Sequence, residues 1–281
     1  MLALRLPFFH RFSPTIAPML TRLQTLIHDI AHSEVMPRFL HAEGIRKADG
    51  SLLSAADLAA QAAFERHLPD IVRAPVLGEE MPLMQQKNLW QKQAQTGLWV
   101  VDPIDGTTNF LNGLPHFALS VAFVRQGKTL FGAVYNPATQ EMFAAAQGSG
   151  AFLNGRPLPL RIGQKRLFEA VAGVEVKRLR SGKLSSRIHT LSPVRSIRSL
   201  GSSTLDWCYL AAGRYDVYVH GGQNLWDYAA GALILTEAGG QLATLEGDEF
   251  WSGEHVFQRS VIAAVEPALF DQWLKWVRAN Q

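Results

Sequence analysis

The sequence predicts an α/β protein of the α+β kind, built in layers, and three observations carry that reading. Helical segments open the chain. A run of short strands separated by glycine turns follows to about residue 160. From residue 161 helices and strands alternate. With 281 residues, 47% of them hydrophobic and 18% charged, the chain is long enough to bury a sizeable core. The expected division is an N-terminal α+β part, 1–160, and a C-terminal α/β part, 161–281, forming one continuous catalytic unit.

Each element has its own signal. In MLALRLPFFHRF, 1–12, the apolar stretch is broken by Arg5 and Pro7 and no small-residue cleavage site follows, so it reads as a loose extension and not as a secretion signal. From Pro18 to Leu40, Leu20, Leu23, Ile27 and Ile30 recur at helical spacing. SAADLAAQAAFERHL, 54–68, opens with a Ser cap and is rich in Ala, which predicts a second helix. APVLGEE, 74–80, is a short strand running into acids. A polar loop is expected from Met81 to Thr96, and GLWVVD, 97–102, is the next strand. HFALSVAFVRQG and TLFGAVYNP pair around a turn at Gln126–Gly127, and QEMFAAAQGSGAFLNG holds a further strand pair. In the second part FEAVAGVEV is a strand, and HTLSPVRSIRSLGSS holds a helix end and a strand. STLDWCYLAAG is a helix and YDVYVH a strand. LWDYAAGALILTEAGG is a helix closed by Gly-Gly. QLATL and RSVIAAV are strands, and PALFDQWLKWVRAN is the last helix.

Composition narrows the function classes. A net charge of +3 does not argue for nucleic acid, and it suits a small phosphorylated substrate equally well. No apolar run approaches the ~20 residues that span a bilayer. The single cysteine, Cys208, has apolar neighbours and reads as a buried core thiol. One cysteine forms no internal disulfide, which fits a reducing cytoplasm.

The chemistry concentrates in LWVVDPIDGTTNF, 98–110. An apolar strand delivers Asp102 and Asp105 to the turn at its end, where Pro103 removes a ladder donor. Clustered buried carboxylates either share a proton or bind hard cations through oxygen. Gly106, Thr107, Thr108 and Asn109 then open a helical turn, whose amides suit an anion. Cation ligands beside an anion site point to metal-assisted phosphate ester hydrolysis, with the Thr107 hydroxyl orienting a water. Asp57 and Asp227 stand in first helical turns, where a dipole role alone also accounts for them. Glu79 and Glu80 end another strand, and a solvated loop accounts for them as well.

DPIDGTTNF at 102–110, GEE at 78–80 and WDYAAGALILTEAGG at 226–240 together resemble the inositol monophosphatase family, and GSGAFLNG and LGSSTLDWCYLAAGRYD add to the likeness over about residues 18–265. The resemblance implies a layered αβαβα sandwich, usually a homodimer, with two to three Mg²⁺ ions and sensitivity to lithium. By motif, Glu79, Asp102 and the Ile104 carbonyl hold one ion. Asp102, Asp105 and Asp227 hold a second, and a third touches Glu79. The catalytic water lies by Glu79 and Thr107, with Asp57 orienting the Thr107 hydroxyl. The amides of Gly106 and Thr107 take phosphate oxygens. Gly201, Ser202 and Ser203 join Asp105 and Asp227 as substrate contacts.

Two departures bear on substrate. The stretch Asp49 to Asp57 lacks the family's Pro-Val step but keeps a hydroxyl at Ser54, and so resembles the histidinol-phosphate and adenosine-phosphate branches as much as the inositol branch. Seven residues before Asp227, where inositol-specific members carry a Glu, stands His220. It is either a loop histidine in a glycine turn or a changed substrate contact, able to donate or to accept. Seven Lys or Arg between Lys177 and Arg198, with no acid from Val176 to Leu205, form either a solvated face or a basic rim for a bisphosphate or nucleotide. The expected activity is Mg²⁺-dependent hydrolysis of inositol monophosphate or a similar polyol phosphate. The alternatives are fructose 1,6-bisphosphate, adenosine 3′,5′-bisphosphate, histidinol phosphate, or a regulatory RNA-associated role.

Overall fold

The computed structural model describes residues 16–47, 50, 52–161, 163, 165–175, 179, 182–251 and 256–281. The N-terminal extension, Asp49 and Lys177 lie outside them.

Helix α1 (Ile16–Ile30) buries Leu20, Leu23, Ile27 and Ile30, the stripe its spacing predicts. It does not run on to Leu40 as an α-helix. A π-helical turn, Ala31–Val35, closed by the Met36 amide on the Ala31 carbonyl, follows, and then a 3₁₀ turn, Met36–Arg38, where Pro37 cannot donate to a continuing α-helix. An unforeseen two-stranded arm, β1 (Gly44–Arg46) and β2 (Leu52–Ser54), leads into α2 (Ala55–Ile71). After β3 (Val76–Gly78) the expected polar loop is helix α3 (Leu83–Gln93). Its apolar stripe is invisible in sequence because Leu83 and Met84 face solvent, while the buried position belongs to Gln86.

Strand β4 (Leu98–Asp105), α4 (Thr107–Leu111), β5 (Ala118–Arg125), β6 (Lys128–Asn136), β7 (Glu141–Ala146), β8 (Ala151–Leu153) and β9 (Arg156–Pro157) follow. Strands β3 to β9 make a seven-stranded sheet in sequence order, antiparallel except for the β3–β4 pair. Gln126 and Gly127 form the predicted β5–β6 turn with φ of 53° and 69°. The second sheet takes β10 (Val171–Glu175), β11 (Ser196–Arg198), β12 (Val217–Gln223), β13 (Gln241–Ala243) and β14 (Arg259–Ala264) in the order β11-β10-β12-β14-β13. The remaining helices are α5 (Gly182–Thr190), α6 (Ser203–Ala211), α7 (Leu225–Glu237) and α8 (Pro267–Ala279).

Three apolar cores hold five layers together, α-β-α-β-α. Leu23, Ile27 and Phe64 pack on Trp99 and Val101 at one face of β4. Leu98 and Val100, from the other face, meet Trp207 of α6 and Ile234 of α7, which in turn meet Tyr218 and Val261 of the second sheet. Beyond that sheet, Val219 and Ile262 pack on Leu184 and Trp273. Helices on both faces explain why β4 reads as an unbroken apolar run instead of alternating. Cys208 lies buried in the middle layer, where burial pushes its thiol well up from its usual range, as a core thiol.

Candidate active site

The site forms where β4 runs past its partner. The expected turn at Asp102 is instead a register irregularity inside β4, between Asp102 and Asp105. Pro103 accounts for it, since it offers the ladder no donor. Gly106 follows at φ 88°, and a Cβ there would meet the His116 carbonyl at 3.1 Å and the Gly201 carbonyl at 3.2 Å. Only glycine therefore lets α4 begin against the loop that precedes α6. Asn109 ties the same parts together, donating at 2.7 Å to both the His116 and Leu200 carbonyls.

One carboxylate oxygen each from Asp102, Asp105 and Asp227 lies within 4.8 Å of the others. These acids come from β4, its end and the first turn of α7, so the fold converges them from 125 positions of chain. Asp102 is buried, and its Oδ1 has no hydrogen-bond partner. Burial first, then the charges of Glu79, Asp105 and Asp227, hold its carboxyl well above the usual range. An orphaned oxygen amid like charges is the environment that a hard divalent cation relieves, and the all-oxygen donor set fits Mg²⁺.

The neighbouring acids are held by specific donors. Asp105 Oδ2 accepts from Ser202 Oγ at 2.6 Å and from the Thr204 amide and hydroxyl at 2.7 Å each. Asp227 Oδ2 accepts from the Asn224 amide at 2.8 Å, and Asp57 Oδ2 from the Ser54 amide at 2.8 Å and hydroxyl at 2.6 Å. Both therefore close capping boxes, so the helix-terminus reading of these acids holds alongside their place at the site. The Thr107 hydroxyl donates to the Ile104 carbonyl at 3.0 Å and lies 3.4 Å from Asp57 Oδ1. Burial pushes the Asp57 carboxyl up to about 6, against the pull of Ser54.

Glu79 is not a solvated loop residue. Burial pushes its carboxyl up to about 7, although Lys47 pulls it down. Lys47 Nζ lies 3.1 Å from Glu79 Oε1 and 2.7 Å from Glu80 Oε1. Burial lowers the Lys47 ammonium's pKa, but the two carboxylates overcome this and leave it raised. Gln86 of α3 donates to the Gly78 and Glu79 carbonyls at 2.9 and 3.0 Å, fixing the turn. His220 is not a loop histidine: it is buried in β12, level with Val261, and its Nδ1 accepts from the Gly222 amide at 3.1 Å. Gly201 and Ser203 flank Ser202 at the start of α6.

Sequence reasoning missed Lys47, Gln86 and Thr204. No periodicity marks the first two. The hydroxyl run Ser202-Ser203-Thr204 carried a signal for the third.

The arrangement of acids, hydroxyls and helix starts can be compared with known proteins. A sequence model of the inositol monophosphatase family matches residues 16–280. The chain belongs to the inositol monophosphatase family. An inositol-1-monophosphatase of Mesorhizobium japonicum is 36% identical over 234 residues, 78% of this chain and 86% of that protein. A Nus factor SuhB of Pseudomonas aeruginosa is 39% identical over 186 residues, 61% of this chain and 68% of that one. An IMPase structure from Thermotoga maritima superposes with a TM-score of 0.78 at 29% identity, covering 93% of this chain and 97% of its own. The family member described here is an enzyme, a phosphatase on the family's mixed α/β fold, with an acidic cluster that can bind metal. Among the described residues no helix is long and apolar enough to cross a membrane.

Proposed function

We propose that this phosphatase is a Mg²⁺-dependent phosphomonoesterase acting on inositol monophosphate or a similar small polyol or sugar phosphate. The observation that carries the reading is the Asp102, Asp105 and Asp227 cluster around a buried oxygen without a hydrogen-bond partner. Asp102, Asp105 and Asp227 would hold Mg²⁺, with Glu79 and the Ile104 carbonyl as further oxygen donors for two to three ions. When bound, the ions would neutralise phosphate charge and lower the pKa of an attacking water toward 7.

The chain's own groups do the rest. The Thr107 hydroxyl has the Ile104 carbonyl at 3.0 Å and Asp57 Oδ1 at 3.4 Å as acceptors for its proton, and its lone pairs would orient a water. Glu79, beside the cation ligands and 3.1 Å from Lys47 Nζ, would accept that water's proton. Asp57, fixed by Ser54, would accept from the Thr107 hydroxyl and fix its direction. The Gly106 and Thr107 amides, in the first turn of α4, would take phosphate oxygens. Gly201, Ser203 and His220 would meet the alcohol part of the substrate. At His220 an imidazole, able to donate or to accept, stands where a glutamate would only accept. Homodimer formation, a cytoplasmic location and lithium inhibition belong to the same proposal.

The test is phosphate release by the purified protein from inositol 1-phosphate, fructose 1,6-bisphosphate, adenosine 3′,5′-bisphosphate and histidinol phosphate, with and without Mg²⁺ and Li⁺. The expected result is Mg²⁺-dependent, Li⁺-inhibited release, fastest from inositol phosphate. Release from none of them would overturn the reading, and a different substrate in first place would reassign it.

A second reading rests on the basic stretch. Lys183, Arg187, Arg195 and Arg198 are all exposed, and the Pseudomonas relative bears the name Nus factor. A regulatory RNA-associated role would show as salt-sensitive RNA binding that survives Asp105→Asn. No binding at low salt removes it.

A further inference from the structure

A second group of metal-ligating side chains lies on elements that carry none of the carboxylate site. His28 of α1 and His32 of the π-helical turn face one cavity of about 420 Å³, lined also by Tyr135, Gln140, Met142 and Asn154. We propose that His28 and His32, with the Tyr135 hydroxyl, form a site for a borderline divalent transition cation, Zn²⁺ in the first place. The proposal is independent of the phosphatase reading.

Four observations support it. Histidines four apart on a helix can chelate one ion, and here the ring centroids are 4.3 Å apart at 50°. With Zn–N bonds of about 2.0–2.1 Å, two rings on one tetrahedral ion sit roughly 5 Å apart, within a small rotation of what is observed. Tyr135 Oη lies 3.4 Å from His32 Nε2. That is long for a hydrogen bond, but bonds of about 2.0–2.1 Å at the tetrahedral angle separate two ligand atoms by roughly 3.3–3.4 Å. Asp29 Oδ1 stands 3.3 Å from His28 Nδ1. A carboxylate on Nδ1–H leaves Nε2 as the nitrogen that carries the lone pair, the usual outer contact of a ligating histidine.

The fourth observation is local. The chain leaves α geometry at Ala31, between the two histidines, and the π turn runs to Val35. Single π turns inside helices often mark functional positions. The donor set, imidazole with a phenol oxygen and the Met142 thioether lining the cavity, is softer than the all-carboxylate site. It therefore selects Zn²⁺, Ni²⁺ or Cu²⁺ over Mg²⁺.

The experiment uses the untagged full chain, stripped of metal and titrated with Zn²⁺ against a chromogenic chelator, with Mg²⁺ in excess. His28→Gln and His32→Gln are each expected to lower the bound Zn²⁺ by one equivalent, with Mg²⁺-dependent phosphatase activity and circular dichroism unchanged. Equal Zn²⁺ stoichiometry in wild type and both variants would overturn the site. With Cu²⁺ as probe, the wild type is expected to show a phenolate-to-copper charge-transfer band that Tyr135→Phe removes. A wild-type copper spectrum without that band would overturn the tyrosine's part.

Discussion

Thr204 donates twice to a single oxygen of Asp105, from its amide and from its hydroxyl, each at 2.7 Å. Ser202 adds a third bond to the same oxygen at 2.6 Å. Three donors on Oδ2 fix the plane of the carboxylate and thereby aim Oδ1. The start of α6 thus orients an acid at the end of β4, a link between the middle helical layer and the seven-stranded sheet. Thr204→Val keeps the shape and the amide but removes the hydroxyl. A hydrogen bond to a charged group contributes about 1.5–3 kcal/mol, so denaturant unfolding should show a loss of that order. The Mg²⁺ concentration for half-maximal activity should rise in the same variant. An unchanged Mg²⁺ requirement would mean that Thr204 supports the fold alone.

Asp102→Asn should separate chemistry from stability. The side chain is buried among Glu79, Asp105 and Asp227, so its charge opposes folding when no cation is present. The variant is expected to lose activity and yet melt at a higher temperature than the metal-free wild type. Wild-type turnover in Asp102→Asn would refute the metal assignment.

The pH dependence of stability follows from the same groups. Asp57 and Glu79 are pushed up to about 6 and about 7, and Asp102 well above its usual range. A carboxyl whose pKa is raised by folding binds more protons in the folded state. Its contribution is fully present below the unfolded pKa, near 4, and is lost as pH rises through the folded one. The metal-free protein should therefore lose melting temperature between about pH 4 and 7 from these groups. Mg²⁺ binds the deprotonated carboxylates and should reverse the trend above neutrality. Melting curves across pH, with EDTA and with Mg²⁺, check both halves, and parallel curves would contradict the linkage.

Gln86→Leu tests a helix that the sequence concealed. The variant leaves the Glu79 carbonyl without its Gln86 donor, while the Gly78 carbonyl keeps the Met81 amide at 3.3 Å, so about 1–3 kcal/mol is lost for the one group left unsatisfied. Glu79 then loses its fixed turn, so kcat should fall along with stability. A normal kcat in a destabilised protein would show that the turn holds its shape without Gln86.

Thr107 offers a separation by substitution. Thr107→Ala removes the hydroxyl and should lower kcat by about 10²-fold or more while substrate KM changes little. Thr107→Ser retains the hydroxyl and should recover most of the rate. If KM carried the loss instead, the hydroxyl would be a binding group.

Much of this was legible in the chain. The four-residue apolar run before Asp102 marked a strand buried on both faces, because the local pattern and the layered environment agree. Asp102, Asp105 and Thr107 stand within six positions, and Asp227 sits behind a helix start, so motif order alone indicated a metal and phosphate chemistry. What stayed hidden had no local signature. Helix α3 was masked because its buried position is a glutamine, and His220 looked like a loop residue because the irregular end of β12 carries glycines. Lys47 meets Glu79 across 32 positions, and Thr204 meets Asp105 across 99. The sequence by itself determined which side chains could do this chemistry and which strands and helices would carry them. Only the tertiary structure decided which donors hold those acids. Hydrogen bonds and charges act over a few ångströms of space, and sequence spacing measures that distance only within a single turn of one element.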